Sequence, residues 1–153
     1  MATVVDTIAN AALYYGLVRE LASSDEPIER QLSFRAAQDN FFAAACEGID
    51  AELYWPSVGN VPASELVLRT LLPLAHRGLD AWGVDRRDRD HYLGVIEQRC
   101  LKRQTGAGWQ VRTFRNLRER GLERREALTE MTRAYLHGMH SNEPVHTWSV
   151  PRP

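Results

Sequence analysis

Residues 4–21 read VVDTIANAALYYGLVREL, and apolar side chains recur in this stretch every three or four positions. That spacing lines up one face of an α-helix. The residues on this face are Val4, Ile8, Ala12, Tyr15 and Val18. The polar stretch SSDEP at residues 23–27 ends the pattern. The sequence therefore predicts an amphipathic first helix, with this face packed into a core.

A second helix is predicted from Ser33, a helix-capping residue, to Gly48, which tolerates the positive φ of a helix end. Its apolar face consists of Phe34, Ala37, Phe41, Ala44 and Ala45. Asn40 lies on the turn beside that face, where helix propensity gives no reason for an Asn. Asn40 is therefore a candidate for a specific polar contact.

Four further helices follow in the pattern. The third runs from residue 62 or 64 to 82, and Pro73 is expected to kink or split it. The fourth begins at Asp85, with Asp88 at the third helical position, and carries an apolar face that includes Leu93 and Ile96. The fifth is predicted over residues 109–120, and the sixth follows Gly121.

The intervening segments carry turn residues. Residues 53–62 are predicted to be the longest irregular stretch, and residues 102–108 a basic turn with two glycines. After His140 the chain is expected to form an extended tail. The pattern predicts an all-α fold: one domain over residues 1–153, built as a bundle of about six helices.

The charge is distributed unevenly. Residues 1–85 carry 5 basic and 12 acidic side chains, whereas residues 86–125 carry 12 basic and 5 acidic ones. Because the whole chain has a net charge of −1, it lacks the basic excess of a nucleic-acid-binding protein. We expect no nucleic-acid partner and no membrane partner. A cytoplasmic location with two reduced, buried thiols, Cys46 and Cys100, is expected, since no signal peptide or membrane span is evident.

Three stretches resemble one protein family. They are QDNFFAAACEGIDA at residues 38–51, GAGWQ at residues 106–110 and MHSNEPVHTWSV at residues 139–150. They resemble the C-terminal region of the glutamate–cysteine ligase family 2, also called carboxylate–amine ligases, and the last stretch resembles its actinobacterial branch. The resemblance covers nearly the whole chain but only the last third of a typical member. Phe41, Ala43 and Cys46 stand where family members often have arginine.

The resemblance implies an ATP-dependent enzyme that joins a carboxylate to an amine, with ATP and Mg²⁺ as cofactors of the full-length protein. The family binds them on an antiparallel sheet that precedes this region, so the chain alone is expected to be inactive and to bind neither. Its partner would be the N-terminal ligase portion, in cis or in trans. Helices that normally cover a sheet would leave an apolar face open, which homo-oligomerisation can cover.

The candidate substrate-binding residues lie in two places. The resemblance assigns Asn40 and Gln110 to a polar wall of the site. Thr105 belongs to the glycine-containing turn before the fifth helix, which can hold a phosphate or can be a simple connection. Arg99 lies one helical turn upstream of that turn. It is either a binding residue or an ordinary surface residue. No catalytic residue can be named from spacing alone.

Two alternatives stay open at this point. His137, His140, Glu143 and His146 have some of the spacing of a zinc site, but they equally fit a tail docked by Trp148 without metal, and we expect none. The chain as a whole can be the helical portion of a ligase. Alternatively, it is a non-catalytic helical module for interaction or dimerisation.

Overall fold

The computed structural model of this chain describes residues 3–150. Six helices of 10 to 19 residues lie in this range. They are α1 (Val4–Ala22), α3 (Phe34–Glu47), α5 (Leu72–Ala81), α6 (Arg86–Leu101), α7 (Gly106–Glu119) and α8 (Arg124–Ser141). Two four-residue helices, α2 (Ile28–Gln31) and α4 (Ala63–Leu66), separate some of them. The predicted all-α architecture is confirmed.

The main core forms where α1 packs against α5 and α6. Its buried residues are Ala9, Leu72, Ala75, Leu79, Leu93, Val95 and Ile96. Helices α1 and α5 approach closely because Gly16 of α1 faces the α5 backbone and Gly78 of α5 faces the α1 backbone. A Cβ on Gly16 would overlap Ala75, and one on Gly78 would overlap Gly16. The predicted core face of α6 is confirmed by the burial of Leu93 and Ile96.

The buried side of α1 is not the predicted one. Asp6, Ala9 and Gly16 are buried, whereas Val4 and Val18, at the ends of the predicted apolar face, are 64% and 66% exposed. The close approach of α5 explains the difference. A helix can approach another backbone along a row of small residues, and the bulky residues then point outward.

A β-hairpin replaces the irregular stretch that the sequence predicted at residues 53–62. Strands β1 (Glu52–Trp55) and β2 (Gly59–Pro62) pair antiparallel, with Glu52 opposite Pro62 and Trp55 opposite Gly59. The hairpin was not predicted because two prolines argue against strands in this stretch. Pro56 lies in the turn and Pro62 at the strand end, where a missing N–H costs the ladder little.

Helix α4 runs into α5 through a π-helical segment, Val67–Leu71. Here the N–H of Leu72 donates to the carbonyl of Val67, five residues earlier. Pro73, in the first turn of α5, has no N–H and its ring crowds the preceding turn. The irregularity predicted at Pro73 is thus present as a widened turn within one continuous helix.

A second apolar cluster joins α7, α8 and the C-terminal tail. Trp109 and Val145 are buried in it. The ring of Trp148 packs edge-on against Trp109 and Tyr135, with centroids 5.3 and 5.4 Å apart. Asn142, in a left-handed conformation with φ of 55°, ends α8 and turns the tail back over the helices. Trp148 therefore anchors the tail, as predicted.

The two cysteines are both free. Cys100 is buried, and burial raises the pKa of its thiol above the ordinary value. Cys46 is exposed, contrary to the prediction, because the side of α3 that carries it faces solvent. None of the helices in residues 3–150 is long and apolar enough to cross a membrane.

Candidate functional site

A polar cleft of about 210 Å³ lies where α1, the end of α6, the start of α7 and the tail meet. Its lining residues are Asp6, Asn10, Arg99, Thr105, Gly106, Ala107 and Val145. Two of the four sequence-predicted site residues, Arg99 and Thr105, are therefore brought together here. Neither Asn40 nor Gln110 is among these lining residues.

Arg99 crosses the cleft from α6 to α1. Its guanidinium donates to Oδ1 of Asn10 at 2.7 Å and to Oδ1 of Asp6 at 3.0 Å. Asp6 is only 2% exposed and also accepts from the hydroxyl of Thr3. Arg99 is thus a partly buried ion-pair residue rather than the surface residue that was the alternative. Within residues 3–150, its buried Nε faces no hydrogen-bond partner.

Thr105 caps the start of α7. Its Oγ1 accepts a hydrogen bond from the N–H of Gly108 at 3.1 Å. This cap lets α7 begin at Gly106, three residues before the predicted start, so both glycines of the predicted turn lie in the helix. An N-cap of this kind stabilises a helix start by about 1 kcal/mol, enough to offset a glycine there.

The cleft offers hydrogen-bond donors beside one carboxylate. Gly106 and Ala107, at the start of α7, line it together with the Arg99 side chain. Asp6 neutralises Arg99, which weakens the attraction that the cleft would exert on an anion. Among the seven lining residues, no nucleophile has a base beside it.

Gln104 was missed by the sequence analysis. Its Nε2 donates to the carbonyls of Val145 and Trp148, both at 2.8 Å, and its Oε1 accepts from Arg112 at 2.7 Å. Gln104 therefore fixes the tail beside the cleft. Nothing in its sequence spacing marks it, because the tail carbonyls that it binds lie 41 and 44 residues away.

Asn40 binds the backbone of Tyr54 and does not line the cleft. Its Nδ2 donates to the carbonyl of Tyr54 at 2.7 Å, and its Oδ1 accepts from the N–H of Tyr54 at 2.8 Å. This two-way bond attaches the hairpin to α3. Gln110 is half-buried on the second turn of α7. A shared polar patch of Asn40 and Gln110 is thus not formed around this cleft.

The apolar face of α3 is open. Phe34 is 83% exposed and Phe41 is 70% exposed, and Ala37, Ala44 and Ala45 on the same face are exposed too. We call these five residues the α3 face. Every residue of α3 is exposed or half-buried. The hairpin contact of Asn40 lies beside the α3 face. The face that the sequence predicts for a core is therefore exposed in the described part of the chain.

The histidines of the tail region do not converge on a metal site. Among residues 3–150, no group of three or more His, Cys, Asp and Glu side chains is placed to hold a metal ion. His137 and His140 are exposed on α8, whereas His146 lies half-buried in the 3₁₀ turn Val145–Thr147. Of the three histidines, only His146 belongs to the docked tail.

Comparison with known proteins gives no relative: no protein-family model, curated protein or solved structure matches this chain.

Proposed function

We propose that this chain is the C-terminal helical portion of an ATP-dependent carboxylate–amine ligase of the glutamate–cysteine type. Its open α3 face would be covered by the remainder of that enzyme. The exposure of Phe34 and Phe41 is the observation that carries the proposal. A helix with one apolar face left open is typical of a layer that has been separated from its neighbour.

The energetics favour a permanent neighbour on this face. Burying one Phe side chain contributes about 1.5–3 kcal/mol, and the adjacent Phe42 is exposed as well. A second open surface lies on α1, where Val4, Ile8 and Val18 point outward. Large apolar residues in such rows are uncommon on a monomer and typical of an interface.

The chain's own contribution to ligand binding would come from the polar cleft. Arg99 and Thr105 lie on its wall and rim, and both come from the region of the family-like GAGWQ stretch. Gln110 follows on the next turn of α7. In the complete enzyme these groups would orient the carboxylate or amine substrate.

The phosphoryl-transfer chemistry would reside elsewhere in the enzyme. ATP-dependent ligation needs Mg²⁺ held by carboxylates against the phosphates. Asp6, the acidic residue of the cleft, is engaged by Arg99. We propose that residues outside this chain hold ATP and Mg²⁺.

A second candidate is a non-catalytic interaction module. The same open faces on α1 and α3 favour it, with a second copy of the chain as the partner. The two candidates differ in what the α3 face touches: another layer of the same enzyme in the first, and its own counterpart in the second.

The test begins with the coding sequence upstream of residue 1. We expect a continuous reading frame, whose product releases ADP only when glutamate and an amine such as cysteine are both present. The present chain, assayed alone, should show no release above the buffer control. A longer product without substrate-dependent ADP release, or substantial release by this chain alone, would contradict the proposal. A start codon at residue 1, with a dimer in solution, would favour the interaction module.

A further inference from the structure

The tail after α8 is held by side chains from two helices and from the connection between α6 and α7. We call residues 142–150 the strap. The N–H of Val145 donates to Oδ2 of Asp6 on α1 at 3.1 Å. Gln104, in the connection between α6 and α7, binds two strap carbonyls, and Nε1 of Trp109 on α7 donates to the carbonyl of Ser149 at 3.0 Å. The strap is thus a discrete segment that docks through a few polar contacts.

Trp148 provides the apolar seat of the strap. A Cβ placed on Gly138 would lie 2.6 Å from the Trp148 ring, so the indole rests directly on the α8 backbone. Its Nε1 donates to the carbonyl of Glu143 at 2.9 Å, which closes the strap on itself. The Trp148 ring can lie against α8 here only because residue 138 has no side chain.

Val145 connects the strap to the polar cleft. It is buried and forms one wall of the cleft, opposite the start of α7. Release of the strap would remove this wall and free the carboxylate of Asp6 from the Val145 N–H. The position of the strap therefore decides how open the cleft is.

His146 lies next to Val145 in an environment that opposes a positive charge. Its Nδ1 is buried and has no hydrogen-bond partner within residues 3–150. The charged groups that act on it are Lys102 and Arg99 of the α6 end, and Asp6 of α1. Two of these three groups are cations, and Asp6 is already paired with Arg99.

We propose that the strap is a pH-sensitive closure of the cleft, shut while His146 is neutral and released when His146 takes up a proton. Protonation would place a charged imidazolium with a buried, unpartnered nitrogen beside Lys102. In the released strap, water can hydrate that charge. This inference concerns the chain itself and does not depend on the ligase proposal.

The direction of the pH effect follows from the charge environment. Burial, together with Lys102 and Arg99, lowers the pKa of His146 below its ordinary value of 6.5. The open strap therefore binds a proton more readily than the closed strap. Closure is fully stable above about pH 6.5 and weakens as the pH falls below it.

Hydrogen–deuterium exchange of the strap tests this inference. Exchange of a peptide covering residues 142–150 is measured at pH 7.5 and pH 5.5 and corrected for intrinsic exchange rates. We expect the strap to be protected at pH 7.5 and its protection factor to fall by up to about tenfold at pH 5.5. The limit is about tenfold because pH 5.5 lies one unit below the ordinary His pKa of 6.5. His140→Gln, at an exposed position on α8, should behave like the wild type.

The variants decide the outcome. His146→Gln should keep the strap protected at both pH values. Equal protection of the wild-type strap at both pH values, or a His146→Gln variant with the wild-type loss, would overturn the proposal. If His146→Gln opens the strap at both pH values, the acid-induced loss of protection is measured in Lys102→Gln instead. A smaller acid loss supports the proposal, since Lys102 helps to depress the pKa of His146, and an unchanged loss overturns it.

Discussion

Arg99 and Asp6 form an ion pair, with 3.0 Å between Nη2 and Oδ1, that fastens the end of α6 to the start of α1. The Asp6 side chain is 2% exposed and that of Arg99 is 16% exposed, so solvent screens the pair only weakly. The same carboxylate accepts from Thr3 and Val145. Asp6 is therefore the point at which α1, α6 and the strap are joined.

Removal of one partner of this pair should be costly. Arg99→Ala leaves the Asp6 carboxylate buried without its counter-ion, and we expect a loss of about 3 kcal/mol in the free energy of unfolding. Urea denaturation measures it. Arg35→Ala is the control, because its pair with Asp39 is exposed and long at 3.9 Å, and should cost less than about 1 kcal/mol. Equal losses for the two variants would mean that the Asp6 pair is not buried in solution.

Asn40 should matter for stability. Asn40→Ala leaves both the N–H and the carbonyl of Tyr54 without their partner, and we expect a loss of about 1–3 kcal/mol. Thermal melts of this chain measure it. Gln110→Ala, a change of the same kind on α7, serves as the comparison and should cost less. An Asn40→Ala variant as stable as the wild type would instead favour a residue kept for ligand contact.

Glycine-to-alanine substitutions should give opposite results at two helical positions. Gly16→Ala places a methyl group against the backbone of α5 and should destabilise the chain by several kcal/mol. Gly94→Ala, on α6, meets nothing within 4 Å and should stabilise it by about 0.5–1 kcal/mol through helix propensity. Denaturant midpoints compare the two. Tolerance of Gly16→Ala would show that α1 and α5 are further apart than described.

Local signals in the sequence were sufficient to predict most of the helices. The spacing of Leu93 and Ile96 identified the buried face of α6, and Asp85 marked its start, where the carboxylate accepts from the N–H of Arg87. Pro73 located the irregular turn before α5. These features depend on residues within one or two turns, which is the range over which periodicity and capping act.

Contacts between distant segments were not predictable in this way. The outward face of α1 is decided by Gly16 against Ala75 and Gly78, which are about 60 residues away. The predicted ligand role of Asn40 competes with a bond to Tyr54 that exists only because a hairpin forms there. Asp6 could have been noticed as the acidic partner in a Thr3-x-x-Asp6 cap, but its pairing with Arg99 spans 93 residues.

The central claim is that the α3 face is an open surface made to be covered. Its most direct test combines light scattering over a concentration series with binding of a fluorescent dye that reports exposed apolar surface. The wild-type chain should bind the dye or show a mass above 17.4 kDa. The double variant Phe34→Ser/Phe41→Ser should weaken both properties, since Phe42 and the open surface of α1 remain.

The matched control for that variant is Arg35→Ser/Asp39→Ser, which removes an exposed ion pair on another side of α3. We expect the control to retain the dye binding or association of the wild type. A wild-type chain that stays monomeric at high concentration and binds no dye, or a Phe34→Ser/Phe41→Ser variant that behaves like the wild type, would contradict the account.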